Sequence, residues 1–191
     1  MHPSYHFPVL RGIQAGPEYF LAMCPLRLVP KLFLYNEEGQ IPPEFRAQRT
    51  LNMARIPEIV AYIVNHPKDY VFSAITASID ARVEFAPLET HPDAQNVGWL
   101  IIPMDARIII NDGQHRRKAI EEALHERPEL KDETLPVVFF VDAGLRRSQQ
   151  MFADLNKHAI RPSKSIGILY DHRDPIASLA RRLMVEVPVF R

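Results

Sequence analysis

Apolar positions in the second half of the chain switch between two periods. Ile108-Ile109-Ile110 is a strongly β-forming triplet that runs into Asn111-Asp112-Gly113. Beyond it, Ala119, Ile120, Ala123 and Leu124 share one face of a helix that ends near His125. Leu135 to Val141 (LPVVFFV) reads as a buried strand, and Met151, Phe152 and Leu155 carry a helix over Arg146 to Lys157. Ser165 to Arg182 adds one or two helices, interrupted at Asp174-Pro175.

Upstream, Leu51, Ile56, Ile59, Val60 and Ile63 approximate a 3.6 period, so Arg46 to Asn65 is predicted helical. Pro57 suits its first turn. Tyr70 to Ile79 and Ala81 to Pro87 read as strands joined by a tight turn at Asp80. Trp99 to Pro103 and Ala106 to Ile110 read as a second strand pair around Met104-Asp105. The apolar run from Tyr19 to Tyr35 is broken at Pro25 and Pro30, giving two short strands or a strand and a turn. Residues 1–18, with Pro3, Pro8, Gly12, Gly16 and Pro17, read as an irregular arm. Strands with interspersed helices predict an α+β class with a mixed sheet, as one domain over residues 19–191. The ending VEVPVFR carries no stop signal, which predicts a chain cut before a C-terminal extension.

Charge narrows the function. The 191 residues hold 23 basic and 23 acidic side chains, so no overall positive field holds this protein to a polyanion. The basic residues are bunched, however. Arg107, Arg116, Arg117 and Lys118 stand against Asp112 alone. Arg146, Arg147, Lys157, Arg161 and Lys164 stand against Asp154 alone. Two basic islands in a neutral chain predict a focused anion site. Cys24, the one cysteine, excludes an intramolecular disulfide and reads as a small buried residue. No H-E-x-x-H motif occurs, so no metal site is expected. No Walker A, G-x-S-x-G or dinucleotide fingerprint occurs. No apolar run is long enough to cross a membrane, and a cytoplasmic protein is expected.

The strand–Asp112-Gly113-Gln114-His115-Arg116-Arg117–helix unit carries the chemistry. A glycine turn that opens a helix aims free backbone N–H groups and the positive helix end at one point. Gly113 permits close approach, and Arg116 and Arg117 offer planar forks to a phosphate. Gln114 and His115 add polar groups in the same turn. Asp112 is a helix cap, a metal ligand or a sugar contact, and His115 a phosphate donor or an acid–base group. A structural helix start needs neither the histidine nor two guanidiniums, so the unit reads as a phosphate site.

The string Asp112-Gly113-Gln114-His115-Arg116 resembles the signature of the DGQHR-domain family, which includes the DndB proteins of bacterial DNA phosphorothioation systems. Phe152-Ala153-Asp154-Leu155-Asn156-Lys157 resembles the family's downstream F-x-x-x-N segment, and Arg46 to Ile63 its lead-in; the likeness covers residues 45–175. Gly113 to Ala119 also fits the G-x-x-R-R-x-A pattern of ParB-type proteins, which implies a ParB/sulfiredoxin-like core. The resemblance implies nucleotide binding (ATP or CTP with Mg²⁺) at Gly113, Gln114, His115, Arg116, Arg117 and Asn156, with Asp112 and His115 as catalytic groups if hydrolysis occurs. It implies a repressor of the phosphorothioation gene cluster that binds its own promoter DNA. Arg116, Arg117, Arg146, Arg147, Lys157, Arg161 and Lys164 would contact that DNA, and a homo-oligomer is left open. No separate helix-turn-helix is legible in the chain.

Overall fold

The computed structural model describes residues 3–33, 52–88, 94–143, 147–157 and 173–187. It contains strands β1 (Ser4–Ile13) and β2 (Glu18–Pro25), then a 3₁₀ turn at Leu26–Leu28 and the short helix α1 (Val29–Leu32). A second 3₁₀ turn, Met53–Arg55, leads into α2 (Ile56–Asn65). Strands β3 (Ile75–Asp80), β4 (Glu84–Pro87), β5 (Val97–Pro103) and β6 (Arg107–Asp112) follow, then helix α3 (Gln114–Glu126). After a 3₁₀ turn at Pro128–Asp132 come β7 (Thr134–Val141), α4 (Ser148–Lys157) and α5 (Pro175–Glu186). The α+β expectation is borne out by a seven-stranded mixed sheet of order β4-β5-β1-β2-β7-β3-β6. Only β3 and β7 run parallel; the other neighbours are antiparallel.

Strand alternation sets the core face. Phe7 and Val9 of β1, Phe20 and Ala22 of β2, Leu100 and Ile102 of β5 and Val137 and Phe139 of β7 all point inward. Ile75, Ala77 and Ile79 of β3 join Ile108 and Ile110 of β6 on the same face. Against it pack Ile56, Val60 and Ile63 of α2 and Ala119, Ile120 and Ala123 of α3, at the spacing the sequence showed. Cys24 is fully buried there, and desolvation pushes its thiol up to about 12, so it stays protonated and inert.

Three sequence expectations are corrected. The irregular arm is β1, an interior strand paired to β5 along Ser4–Leu10 and to β2 along Val9–Ile13. Pro8 suggested otherwise, but the β2 ladder stops at Val9, so the proline falls where the strand is paired on one side only. Second, β3 and β4 form no hairpin: β3 lies between β7 and β6, and β4 pairs with β5. Third, β5 and β6 are not partners, since β6 pairs with β3. Hydrophobic period locates strands but says nothing about their neighbours.

The chain divides into two compact units, Met1–Asn156 and Lys157–Arg191. The second holds α5, which begins where the proline interruption was read: Asp174 caps it by accepting the Ile176 N–H at 2.8 Å. No helix among the described residues is long and apolar enough to cross a membrane.

Phe139 is fully buried and contacts the rings of both Phe7 and Phe33. Phe139→Ala is expected to cost about 3–5 kcal/mol in denaturant unfolding, whereas the exposed Ile13→Ala should cost under about 0.5 kcal/mol.

Candidate functional site at the start of helix α3

Strand β6 is buried on both faces as it reaches the motif. Ile108 and Ile110 enter the core, while Asn111 faces the other way and is 1% exposed. A buried amide needs partners, and Asn111 has two. Its Nδ2 donates to Ser78 Oγ at 2.8 Å, and its Oδ1 accepts from Ser148 Oγ at 2.8 Å. Beside this chain, which links β3, β6 and the first residue of α4, the Asp142 carboxylate accepts the Arg147 N–H at 2.9 Å. The β3–β6 register shifts between Thr76 and Ala77, so Asn111 is the extra residue before Asp112. Such a bulge re-aims the strand end.

Gly113 then makes the turn. Its φ of +105° and ψ of 17° lie in the left-handed region, where a Cβ is strained. That Cβ would also lie 2.8 Å from Ile75 Cγ1 and 3.0 Å from Arg116 Nη2. Glycine is thus required twice over, by conformation and by space. The first helical bond, from the Arg117 N–H to the Gly113 carbonyl, is 2.9 Å long, and no side chain among the described residues caps the helix. The Asp112 cap is therefore corrected: its carboxylate accepts from Arg116 Nη2 at 2.6 Å instead. The first N–H groups of α3 have no intrahelical partner and carry the partial positive charge of the helix start.

The structure separates the two guanidiniums. Arg116 folds back over Gly113, held by Asp112 and by the Ser73 carbonyl at 3.2 Å, with its side chain 15% exposed. Arg117 turns inward, to Glu121 at 2.8 Å and the Pro30 carbonyl at 2.6 Å, tying α3 to α1. It is thereby taken away from the turn. Lys118 pairs with Glu121 and Glu122 on the solvated face, and Arg107 pairs with Asp80 across the β3–β6 ladder. Gln114 is also buried, and its Nε2 has no acceptor among the described residues, an arrangement that costs about 1–3 kcal/mol.

His115 points toward α2. Its Nε2 accepts the Asn52 N–H at 3.1 Å, which requires a neutral ring at that nitrogen. Burial and the neighbouring Arg55 guanidinium lower its pKa, with Arg116 adding to the fall and Asp112 opposing it. Arg55 and Asn52 were not singled out in the sequence, because nothing there distinguishes them from other polar residues of a helix start. Ser78, Asp142 and Ser148 escaped for the same reason; only a buried strand carrying a serine hinted at them.

The second basic island is only partly described. Arg147 is exposed just before α4 and Lys157 at its last residue. Asn156 lies in α4, but its side chain is outside the described residues, as are Arg146, Arg161 and Lys164. No cluster of metal-ligating side chains occurs among the described residues.

Two outcomes follow from this geometry. Gly113→Ala should destabilise the fold by about 1–3 kcal/mol in urea unfolding, and a variant as stable as the parent would contradict the turn. Because the folded state lowers the His115 pKa below its ordinary 6.5, the unfolded chain binds the extra proton. The histidine's contribution is therefore complete above 6.5 and lost as pH falls through the lowered value. Unfolding free energies measured across that window should decline for the parent and less steeply for His115→Gln.

The family model DndB, described as DNA-sulfur modification-associated, matches residues 7–191. No curated protein and no solved structure matches. The likeness to ParB-type sites therefore rests on the G-x-x-R-R-x-A string alone.

Proposed function

The chain belongs to the DndB family of DNA-sulfur modification-associated proteins, and from that premise we propose that it is a DNA-binding repressor of a phosphorothioate modification gene cluster. Its Asp112–Arg116 turn holds a phosphate. The observation that carries this reading is the glycine-capped start of α3, whose N–H groups have no side-chain cap among the described residues and lie beside the Arg116 guanidinium. A phosphate oxygen there meets backbone donors, the helix field and a charged fork together. Arg116 needs only to exchange Asp112 for the ligand, since both are anionic acceptors.

Two sources of phosphate fit this chemistry: the DNA backbone, and a nucleotide such as ATP or CTP with Mg²⁺ that shifts DNA affinity on binding. Exposed Arg147 supplies a further cation for a DNA backbone. Hydrolysis, the alternative role for Asp112 and His115, draws less support. His115 Nε2 is committed to the Asn52 N–H, and the Asp112 carboxylate is committed to Arg116. A binding role asks neither group to let go of a proton.

A fragment from upstream of the modification genes should be retarded in a gel shift, with affinity falling steeply as salt rises. Arg116→Ala should weaken that binding by about ten-fold or more, in keeping with loss of a charge-assisted pair. No retardation at low salt, or an Arg116→Ala variant that binds as the parent does, would refute the assignment.

A further inference from the structure

The helices cover the two faces of the sheet unequally. Helices α2 and α3 pack on the inner face, against the side chains that strand alternation sends there. On the outer face, Ser78 of β3 and Ile109 and Asn111 of β6 are buried, and Ser148 of α4 is bonded to Asn111. On β2, β1 and β5 the same face is open. Strand register sets Val97 of β5, Leu10 of β1, Leu21 of β2 and Val138 of β7 in one outward row. Trp99 and Met23 flank it, and Leu10, Met23 and Trp99 are 52%, 50% and 43% exposed. The outward positions of these four strands include no Asp, Glu, Lys or Arg.

A face without cations has little to offer a nucleic acid, whose affinity comes from its phosphates. Aromatic and methionine side chains at a centre free of charge are the composition of a protein–protein contact. The outward side chains leave on the order of 600 Å² of apolar surface, the upper end of what one soluble chain ordinarily exposes in a single patch. Two such faces together would bury about 1,200 Å², enough for a specific interface of the smaller standard size. Laid against its own copy, the patch brings no charge against a like charge, so a two-fold pairing meets no electrostatic penalty. We propose that a second copy of this chain covers the face, the two sheets packing about 10 Å apart through the outward row of β5, β1, β2 and β7. Strand β6 lies at the far edge of the sheet, so each copy keeps its Gly113 turn clear of the contact.

Trp99 is the chain's single tryptophan, and its fluorescence reports on this face directly. Sedimentation of the full chain should show monomer giving way to dimer as concentration rises through the micromolar range. Trp99 emission should move to the blue, and acrylamide should quench it less, over the same range. Each substitution occurs twice in a dimer, so Leu10→Gln should weaken association about ten-fold or more, and Met23→Gln likewise. Val71→Gln, at an exposed apolar residue of the loop after α2, should leave association unchanged. Leu10 and Met23 are half exposed, so urea unfolding of both variants, at concentrations below association, should match the monomeric parent. A chain that stays monomeric throughout, with Trp99 either open to solvent or shielded at every concentration, overturns the pairing. So does a dimer indifferent to both Leu10→Gln and Met23→Gln. Either result leaves the Gly113 reading standing, and Arg116→Ala should not alter the dimer.

Discussion

Close approach at Gly113 is the constraint on which the site depends. Ile75 from β3 and the Arg116 guanidinium crowd the place a Cβ would take, Ile75 closer than a Cβ would tolerate. The left-handed backbone turns the chain from β6 into α3 within a single residue. Because β6 is pinned through Asn111 to Ser78 and Ser148, the turn is delivered from a rigid strand end. Arg116 is positioned by the same contacts that force the glycine. The motif is therefore one mechanical object: strand, glycine and arginine fix one another.

Electrostatics adds a second layer. Parallel packing of α2 and α3 places like helix ends together, an arrangement with an unfavourable dipole interaction that antiparallel packing would avoid. Internal bonds meet part of that field: Asp112 on Arg116, His115 on Asn52, Asn52 on Ala54. Keeping His115 neutral avoids a further charge where Arg55 and Arg116 already stand. The fold spends its carboxylates elsewhere, with Glu121 on Arg117 and Lys118, and Asp80 on Arg107.

Much of this was legible in the residues. The β-forming triplet Ile108–Ile110, the glycine turn and the amphipathic helix after it were readable because each depends on local chemistry. Pairing was not, since β3 and β6 meet with two other strands between them in sequence and β1 reaches β5 across most of the sheet's sequence. Pro8 misled for a reason specific to its position beside the end of a ladder. Within the site, Gly113 and Arg116 announced themselves, but Arg116 and Arg117 are neighbours in sequence whose side chains leave the helix in different directions, and nothing in their order told which one the turn would keep. Arg55 became visible only when α2 was laid beside α3, and Ser148 only when α4 was laid on β6.

The position of β7 in the sheet carries a consequence for how the molecule is made. Strands β4, β5, β1 and β2 form one block and β3 with β6 another; β7 is the sole bridge between them and is synthesised last of the seven. Until residues 134–141 leave the ribosome, both blocks present an open, unpaired edge, on β2 and on β3. The glycine turn and its helix can form earlier, being local, but they do so on a two-stranded fragment. Completion of the sheet, and with it the anchoring of the turn, waits for a single late strand to enter parallel to one neighbour and antiparallel to the other.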